Sequence, residues 1–425
     1  MKRIFLILLF TVLFSVWCYA DEEYIKVNLP EQEITFDDAK KTNQGIMPLS
    51  NTVAETENYY DQLTEYEKMY YDDLKANITT LMDGTTAYKF KTDLPIAKNL
   101  TTSDAIWESV WDTLGVNIST FAFRPLYALT YLDEPQYFWI EVNNLSVSYG
   151  TESGRYSPSK GILYDFYIEF HVKSGNSSYL PDCYTSKTQV QSDYDRIMAK
   201  ANEIISNVPT GSSEWGKLNY YMNWFKDNCQ YNQYLSEGTT SRHAYLPTSA
   251  FLYGTDGVNA PVCEGYSEAL KILCNMSGIK AMCTETFYTQ NGTTTGHKWN
   301  LVNIDGKFYH CDPTWFDSYT SINSYKYFLT GSTNMSSYDK TQNHIINYQM
   351  DFYAPEISVT DYLDDFGING YSILNTDGNT VINQRDTVIL MRRLSGITSG
   401  TLNDINNDGE NNINDAVIMQ KLMFE

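Results

Sequence analysis

The sequence predicts an α+β protein, because helical and strand-like patterns of apolar residues follow one another along its 425 residues. Helical spacing is clearest in residues 59–81 and 189–207, whereas residues 162–172 alternate between apolar and polar side chains as strands do. Residues 375–394 and 404–423 are similar to each other and form an internal repeat. The length is sufficient for two or three domains.

Residues 1–20 have the pattern of a signal peptide. Lys2 and Arg3 precede an apolar run that ends at Trp17, and the next residues fit a small-x-small cleavage site. The alternatives are a membrane anchor, for which the run is short, and a lipoprotein modified on Cys18, which the bulky Trp17 disfavours. We therefore predict a secreted protein with no membrane attachment after cleavage.

The formal net charge of −22 restricts the partners of the protein. A strongly acidic protein is repelled by nucleic acid and by anionic membranes, so we expect it to bind neither. Part of the acidic excess comes from aspartates in the C-terminal repeat.

Several helices and strands are predicted before the segment that contains Cys263. Residues 21–55 lack periodicity and form an extended lead-in within an N-terminal α+β region, residues 21–180. Three helices and two strands follow there, at residues 59–81, 105–114, 122–132, 137–149 and 162–172. A second domain, residues 181–354, begins with helices at residues 189–207 and 215–228. Residues 355–370 are predicted as a linker to the C-terminal repeat, residues 371–425.

Cys263 lies in the first turn of a further predicted helix. Apolar residues recur at helical spacing from Tyr266 to Leu273, Pro261 suits a helix start, and Gly278 suits a helix end. The free amides and the dipole at a helix start favour a thiolate over a thiol. The same amides could receive an oxyanion.

An Asp-Gly pair at residues 305–306 predicts a hairpin with a two-residue turn. The register that follows makes His297 and Asp312 diagonal neighbours on one face, with roughly 7–8 Å between their Cα atoms. Together with Cys263, these residues are the thiol, base and orienting carboxylate that nucleophilic catalysis needs. The alternative roles are ordinary ones: a buried thiol, a structural histidine and a turn-forming aspartate.

Three motifs in this region resemble those of the transglutaminase-like superfamily, which is related to papain-like thiol enzymes. They are VCEGYS at residues 262–267, GHKWNLV at 296–302 and DGKFYHCDPTWFD at 305–317, preceded by SAFLYG at 249–254. The resemblance spans about residues 195–330. It implies a papain/transglutaminase-like core, in which a helix bearing the cysteine packs on an antiparallel sheet.

The resemblance also implies roles for individual residues. Cys263 would be the nucleophile, His297 the general base and acid, and Asp312 the orienting carboxylate, with no cofactor for catalysis. The backbone amide of Cys263 would stabilise the oxyanion, and a second donor is expected near Tyr231. Lys298 departs from the family pattern, which more often has a small residue between the histidine and the tryptophan.

Other residues near the motifs keep two interpretations. Trp299 and Trp315 either line the active-site cleft or are core aromatics. His310 either supports Asp312 or is purely structural. The remaining cysteines of the motif region are core thiols or disulfide partners, namely Cys274, Cys283 and Cys311.

The C-terminal repeat has the ligand spacing of calcium loops of the EF-hand type. Oxygen-bearing side chains occupy loop positions 1, 3, 5, 9 and 12 in both copies, as Asn375, Asp377, Asn379, Asn383 and Asp386 and as Asp404, Asn406, Asp408, Asn412 and Asp415. The first loop has two carboxylates against three in the second, and Thr380 where glycine is expected, so we predict weaker calcium binding there. The alternative is a pair of Asn/Asp-rich turns.

The two loops, each followed by an apolar helix, resemble a dockerin, a small all-α module. The resemblance implies two Ca²⁺ sites and a cohesin on a cellulosome scaffold as partner. Arg392, Arg393 and Lys421 would be candidates for the contact with the cohesin.

The predicted function is a secreted cysteine-dependent acyl-transfer enzyme on an extracellular or cell-surface cellulosome. It would crosslink protein amides or cleave a protein substrate through a thioester, because the motifs fit a transglutaminase and a cysteine protease equally. One alternative is a non-catalytic module that binds protein or cell wall. Another is a carbohydrate-active role in polysaccharide catabolism, but no convincing pair of acidic residues is present.

Overall fold

The computed structural model describes residues 24–27, 32–43, 57–290, 293–339, 343–348 and 350–424. The protein is of mixed α+β class with two antiparallel sheets, as the sequence predicts. The predicted signal peptide, residues 1–20, lies outside the described residues. Within the described ranges, no helix is both long and apolar enough to span a membrane.

The N-terminal region is an antiparallel sheet with helices packed against it. Its strand order is β1-β4-β5-β3, and β2 pairs with β4 beside this path. Its elements in chain order are β1 (Ile25–Lys26), β2 (Gln32–Thr35), α1 (Phe36–Asn43), α2 (Glu65–Asn77), β3 (Tyr88–Pro95), α3 (Ser103–Leu114), α4 (Ile118–Tyr127), β4 (Leu145–Ser157) and β5 (Ile162–Val172).

The predicted N-terminal elements are confirmed in part. The strand predicted at residues 162–172 coincides with β5, and the helix predicted at 105–114 lies within α3. The prediction of a strand at residues 137–149 is wrong in its first half, because β4 begins only at Leu145. Consecutive side chains such as Phe138 and Trp139 are both buried there, so the segment cannot alternate between core and solvent as a strand does.

The second domain combines helices with a four-stranded antiparallel sheet in the order β6-β7-β8-β9. The predicted hairpin register is confirmed, since Ile304 pairs with Lys307 and Asn300 with Cys311. Helix α7 packs against β6 and β7. The elements are α5 (Lys187–Ser206), α6 (Glu214–Asn228), α7 (Cys263–Ser277), β6 (Ala281–Gln290), β7 (Thr293–Ile304), β8 (Lys307–Cys311), α8 (Pro313–Asp317), β9 (Phe328–Thr330) and α9 (Ser332–Tyr338).

The C-terminal repeat contains α10 (Gln384–Leu394) and α11 (Ile413–Phe424), and it packs against the second domain. The Ser213 amide donates to the Met423 carbonyl oxygen at 2.8 Å, and the Asn219 side chain donates to the Ile382 carbonyl oxygen at 2.7 Å. Residues 355–370, predicted as a linker, also lie against this domain, where the Ser358 amide donates to a carbonyl oxygen of β8 at 2.8 Å. The repeat is therefore held on the second domain both by its own residues and by the segment that precedes it.

Candidate active site

The structure places Cys263 as the first residue of α7, where its side chain is half-buried. The preceding Val262 provides no side-chain cap for the helix. Gly265 allows close packing at this point, since a Cβ there would overlap Ser249 Oγ and lie 2.8 Å from the Ala244 carbonyl oxygen. The motif therefore positions the thiol at a helix start whose amides can stabilise an oxyanion.

Two side chains of β7 connect this strand to α7. Asn300 Nδ2 donates to the Ser267 carbonyl oxygen at 3.0 Å, and Lys298 Nζ forms a buried ion pair with Glu268 at 2.7 Å. Burial raises the pKa of Glu268 to about 7, while Lys298 acts in the opposite direction. Lys298 also donates to the Tyr131 carbonyl oxygen at 2.8 Å. Lys298, which departs from the family pattern, therefore links β7 to α7 and to the N-terminal region.

His297 lies between the thiol and the carboxylate. Its Nε2 hydrogen-bonds to Asp312 Oδ2 at 2.8 Å, and its ring also hydrogen-bonds with the Cys263 side chain. Because Nε2 is engaged by the carboxylate, Nδ1 is the ring nitrogen left for the thiol. The structure thus brings together the three residues that the sequence predicts as the catalytic set.

The electrostatics of this set favour an ion pair between His297 and Asp312. Burial lowers the pKa of His297, but the Asp312 charge and hydrogen bond, and then the contacts with Cys263, raise it to about 10. Burial acts to raise the pKa of Asp312, but the charge of His297 and its hydrogen bond hold that pKa well below its usual range. At neutral pH the imidazole is therefore protonated and oriented by a carboxylate.

Asp312 is also the N-cap of α8. Its Oδ1 accepts hydrogen bonds from the amides of Thr314 at 2.8 Å and Trp315 at 3.1 Å, and Pro313 occupies the first turn. The capping role and the orienting role are compatible, because the two carboxylate oxygens have different partners. The cap fixes the position of the oxygen that faces His297.

Sequence reasoning missed His344 and Asp339. His344 Nε2 hydrogen-bonds to Asp312 Oδ2 at 3.0 Å, the same oxygen that His297 uses. Its Nδ1 hydrogen-bonds to Asp339 Oδ2 at 3.0 Å. No spacing or periodicity in the sequence links these two residues to the motifs.

Aromatic side chains enclose the imidazoles. Trp299 is fully buried and stacks on the His297 ring, with centroids 5.6 Å apart and an interplanar angle of 14°. Trp315 lies edge-on to His344 with centroids 4.8 Å apart. His310 Nδ1 accepts a hydrogen bond from Trp299 at 3.0 Å, and burial followed by the charge of His344 lowers the pKa of His310 to about 3. His310 is therefore neutral and supports Trp299 rather than Asp312.

The region predicted to hold a second oxyanion donor lies close to the thiol. Burial, followed by the charge of Cys263, raises the pKa of Tyr231 well above its usual value. Asn232 has another role, since its side chain donates to the carbonyl oxygens of Val258 and Ala260 at 3.0 and 2.8 Å. Of this pair, Tyr231 is thus the residue that interacts electrostatically with Cys263.

The comparison with protein families agrees with this geometry. Residues 199–313 match the transglutaminase-like superfamily. The match includes Cys263, His297 and Asp312, so the chain contains a transglutaminase-like domain. No curated protein matches the chain. The family match does not extend to residues 371–425, for which the dockerin and its calcium sites stay predictions.

The cysteines around the transglutaminase-like domain form no disulfide bonds within the described residues. All six that the structure describes are free thiols, and Cys274, Cys283 and Cys311 are fully buried. Of the two interpretations of these three residues, the structure therefore favours core thiols.

The two loops of the C-terminal repeat fold alike. Asp386 accepts hydrogen bonds at 2.8 and 3.0 Å from the amides at positions 2 and 9 of its loop. Asp415 accepts at 2.6 and 2.8 Å from the amides at the same positions. The donor set contains only oxygen, which suits Ca²⁺. Among the described residues, however, neither loop brings three acidic groups within 4.8 Å of one another.

Two other features have the form of ligand sites. The ligand atoms of His297, Asp312 and His344 lie within 4.8 Å of one another, but their mutual hydrogen bonds account for this proximity without a metal. A cavity of about 530 Å³ between α6 and the C-terminal repeat includes none of the three predicted catalytic residues. Its lining includes Trp215, Tyr220, Trp224, Val381 and Gln384.

Proposed function

We propose that the protein is a cysteine-dependent acyl-transfer enzyme with Cys263 as nucleophile. The observation that carries this proposal is the hydrogen-bonded series from Cys263 through His297 to Asp312 within the transglutaminase-like domain. The thiol is next to an imidazole that can exchange its proton, and the imidazole is next to a carboxylate that can orient it.

In this reaction His297 already holds the proton of Cys263 as an imidazolium, and the sulfur attacks the carbonyl carbon of a protein carboxamide or peptide bond. The amides at the start of α7 stabilise the oxyanion, with the Tyr231 hydroxyl as a second donor. The tetrahedral intermediate expels ammonia or an amine, to which His297 returns the proton, and a thioester remains.

The thioester is then resolved by a second nucleophile. His297 accepts a proton from an amine, which forms a new amide, or from water, which forms a carboxylic acid, and the thiol is released. Asp312 holds the imidazole in the orientation that both half-reactions need. No cofactor takes part in these steps.

The test compares wild-type protein with Cys263→Ala, using a model protein substrate and an isotope-labelled amine. Mass spectrometry should detect label on glutamine side chains if the enzyme transfers acyl groups, or new termini if it is a protease. Both signals should disappear in Cys263→Ala. Cys183→Ala, which removes a half-buried thiol elsewhere, should keep them. Equal activity of wild type and Cys263→Ala would overturn the proposal.

The competing proposal is a non-catalytic binding module with the same fold. Iodoacetamide at mildly acidic pH distinguishes the two, because an activated thiolate reacts there and an ordinary thiol does not. Selective modification of Cys263 supports the enzyme, and an inert Cys263 supports the binding module.

We further propose that the enzyme is secreted and is attached to a cellulosome by its C-terminal repeat, as a dockerin bound to Ca²⁺ and a cohesin. The similar fold of the two loops supports this proposal, as does the exposure of Arg392 and Lys421 on their helices. Calcium-dependent retention of the protein on an immobilised cohesin would support it. Absence of binding in both calcium and chelator would contradict it.

A further inference from the structure

Asp312 is shared by two histidines, and the second of them has a carboxylate of its own. His344 Nε2 lies 3.0 Å from Asp312 Oδ2, and His344 Nδ1 lies 3.0 Å from Asp339 Oδ2. The His344 amide also donates to Asp339 Oδ2, at 2.7 Å. The hydrogen-bonded series therefore continues beyond the predicted catalytic set.

We propose that His344, held by Asp339, is a positioning residue that fixes the Asp312 carboxylate and shares its negative charge with His297. The proposal rests on the proposed function, in which His297 exchanges protons with Cys263 and the substrate.

Hydrogen bonds hold the His344 ring on both sides. Its Nε2 faces Asp312 Oδ2 and its Nδ1 faces Asp339 Oδ2, each at 3.0 Å. The position of the ring relative to Asp312 therefore depends on Asp339. The side chains of His344 and Asp339 are each only 3% exposed, so water cannot replace a missing donor.

The surroundings of His344 keep the ring in place. It contacts groups from every neighbouring element: His297 on β7, His310 on β8, Trp315 in α8, Tyr327 before β9 and Asp339 after α9. Of these groups, His297 is protonated at neutral pH and His310 is neutral. The carboxylates that face the His344 ring are those of Asp339 and Asp312.

This arrangement has a consequence for His297. The ring centroids of His344 and His297 are 5.2 Å apart, and both rings hydrogen-bond to the same oxygen of Asp312. Because His344 takes up part of the charge of this oxygen, His297 releases its proton more readily than it would beside Asp312 alone. Because a general acid works best when it does not hold its proton too strongly, the second histidine would adjust the first for catalysis.

The test is the titration of the histidine ring signals by NMR, which needs no substrate. The protein has five histidines, so single substitutions assign each signal. In His344→Gln the amide can still donate to Asp312, but the ring that Asp339 holds is lost, so the charge of Asp312 acts more strongly on His297. The midpoint of the His297 titration should rise by about one pH unit. Asp339→Asn should shift it in the same direction by a smaller amount.

The matched control is His310→Gln. It replaces a buried histidine of the same cluster that carries no charge, so it should lower the melting temperature but leave the His297 midpoint unchanged. An unchanged midpoint in His344→Gln would overturn the inference and leave His344 a structural residue.

Activity then separates this inference from the proposed function. If wild-type protein has activity that depends on Cys263, His344→Ala should lower kcat by about ten- to a hundredfold with little change in KM, and His344→Gln should restore part of the loss. An inactive wild type contradicts the proposed function, whereas the NMR titration still decides the role of His344. Equal kcat in His344→Ala and wild type would overturn the positioning role.

Discussion

The fold buries Asp312, Asp386 and Asp415 almost completely, but these aspartates have different partners. Asp312, in the transglutaminase-like domain, uses one oxygen for two backbone amides and the other for two imidazoles. Asp386 and Asp415, in the C-terminal repeat, accept backbone amides with both oxygens. The same residue type thus binds two histidines in one region and stabilises loops in the other.

The difference appears in the protonation equilibria. The pKa of Asp312 is held well below its usual range by His297 and His344 in spite of burial. The pKa of Asp386 is raised, because burial outweighs the hydrogen bonds from backbone amides. A charged partner is therefore what keeps a buried carboxylate ionised and able to orient a base, and amides alone stabilise it less.

The largest expected effect comes from changing these carboxylates to amides. Asp312→Asn keeps the helix cap but removes the charge that orients His297, so acyl transfer should fall by about 10³- to 10⁴-fold. Asp386→Asn should leave the rate within about twofold and lower the unfolding free energy of the repeat by about 1–3 kcal/mol. Steady-state kinetics and urea unfolding measure the two effects. A large loss of activity in Asp386→Asn would remove the distinction between the regions.

The sequence predicts that His297 and Asp312 lie close together, because the geometry of a local turn determines it. The turn at residues 305–306 fixes the register of β7 and β8, and with it the proximity of His297 and Asp312. His344 could not be predicted, because tertiary packing rather than a sequence pattern brings it to Asp312. The first half of the strand predicted at residues 137–149 is wrong for a related reason, since buried aromatics such as Trp139 give an irregular segment the composition of a strand.

The stability of the protein at alkaline pH should depend on the charge of His297. The folded pKa of His297 is raised to about 10 from an ordinary 6.5, so its contribution to stability is fully present below pH 6.5 and is lost as the pH rises towards 10. The unfolding free energy should therefore fall by on the order of 3 kcal/mol over this range. Urea unfolding at several pH values measures the change.

The control for this dependence is His297→Gln, which lacks the titrating group. Its unfolding free energy should change much less over the same pH range, while lysines and tyrosines titrate in both proteins. Parallel curves for the two proteins would show that the ion pair of His297 with Asp312 does not stabilise the fold, and the contrast with the amide-bonded aspartates would be lost.

The smallest effect is expected for calcium binding by the C-terminal repeat. Asp386 and Asp415 both accept hydrogen bonds from backbone amides, so they should not make the calcium affinities of the two loops differ. The affinities should instead differ because of the earlier loop positions, where the second loop has Asp404 and Asp408 and the first has Asp377. We expect two steps in a calorimetric calcium titration, with affinities about tenfold apart. Asp404→Ala should remove the tighter step and Asn375→Ala the weaker one. If calcium produces neither step, the loops are Asn/Asp-rich turns held by their own backbone amides, and all three buried aspartates are then explained without a metal.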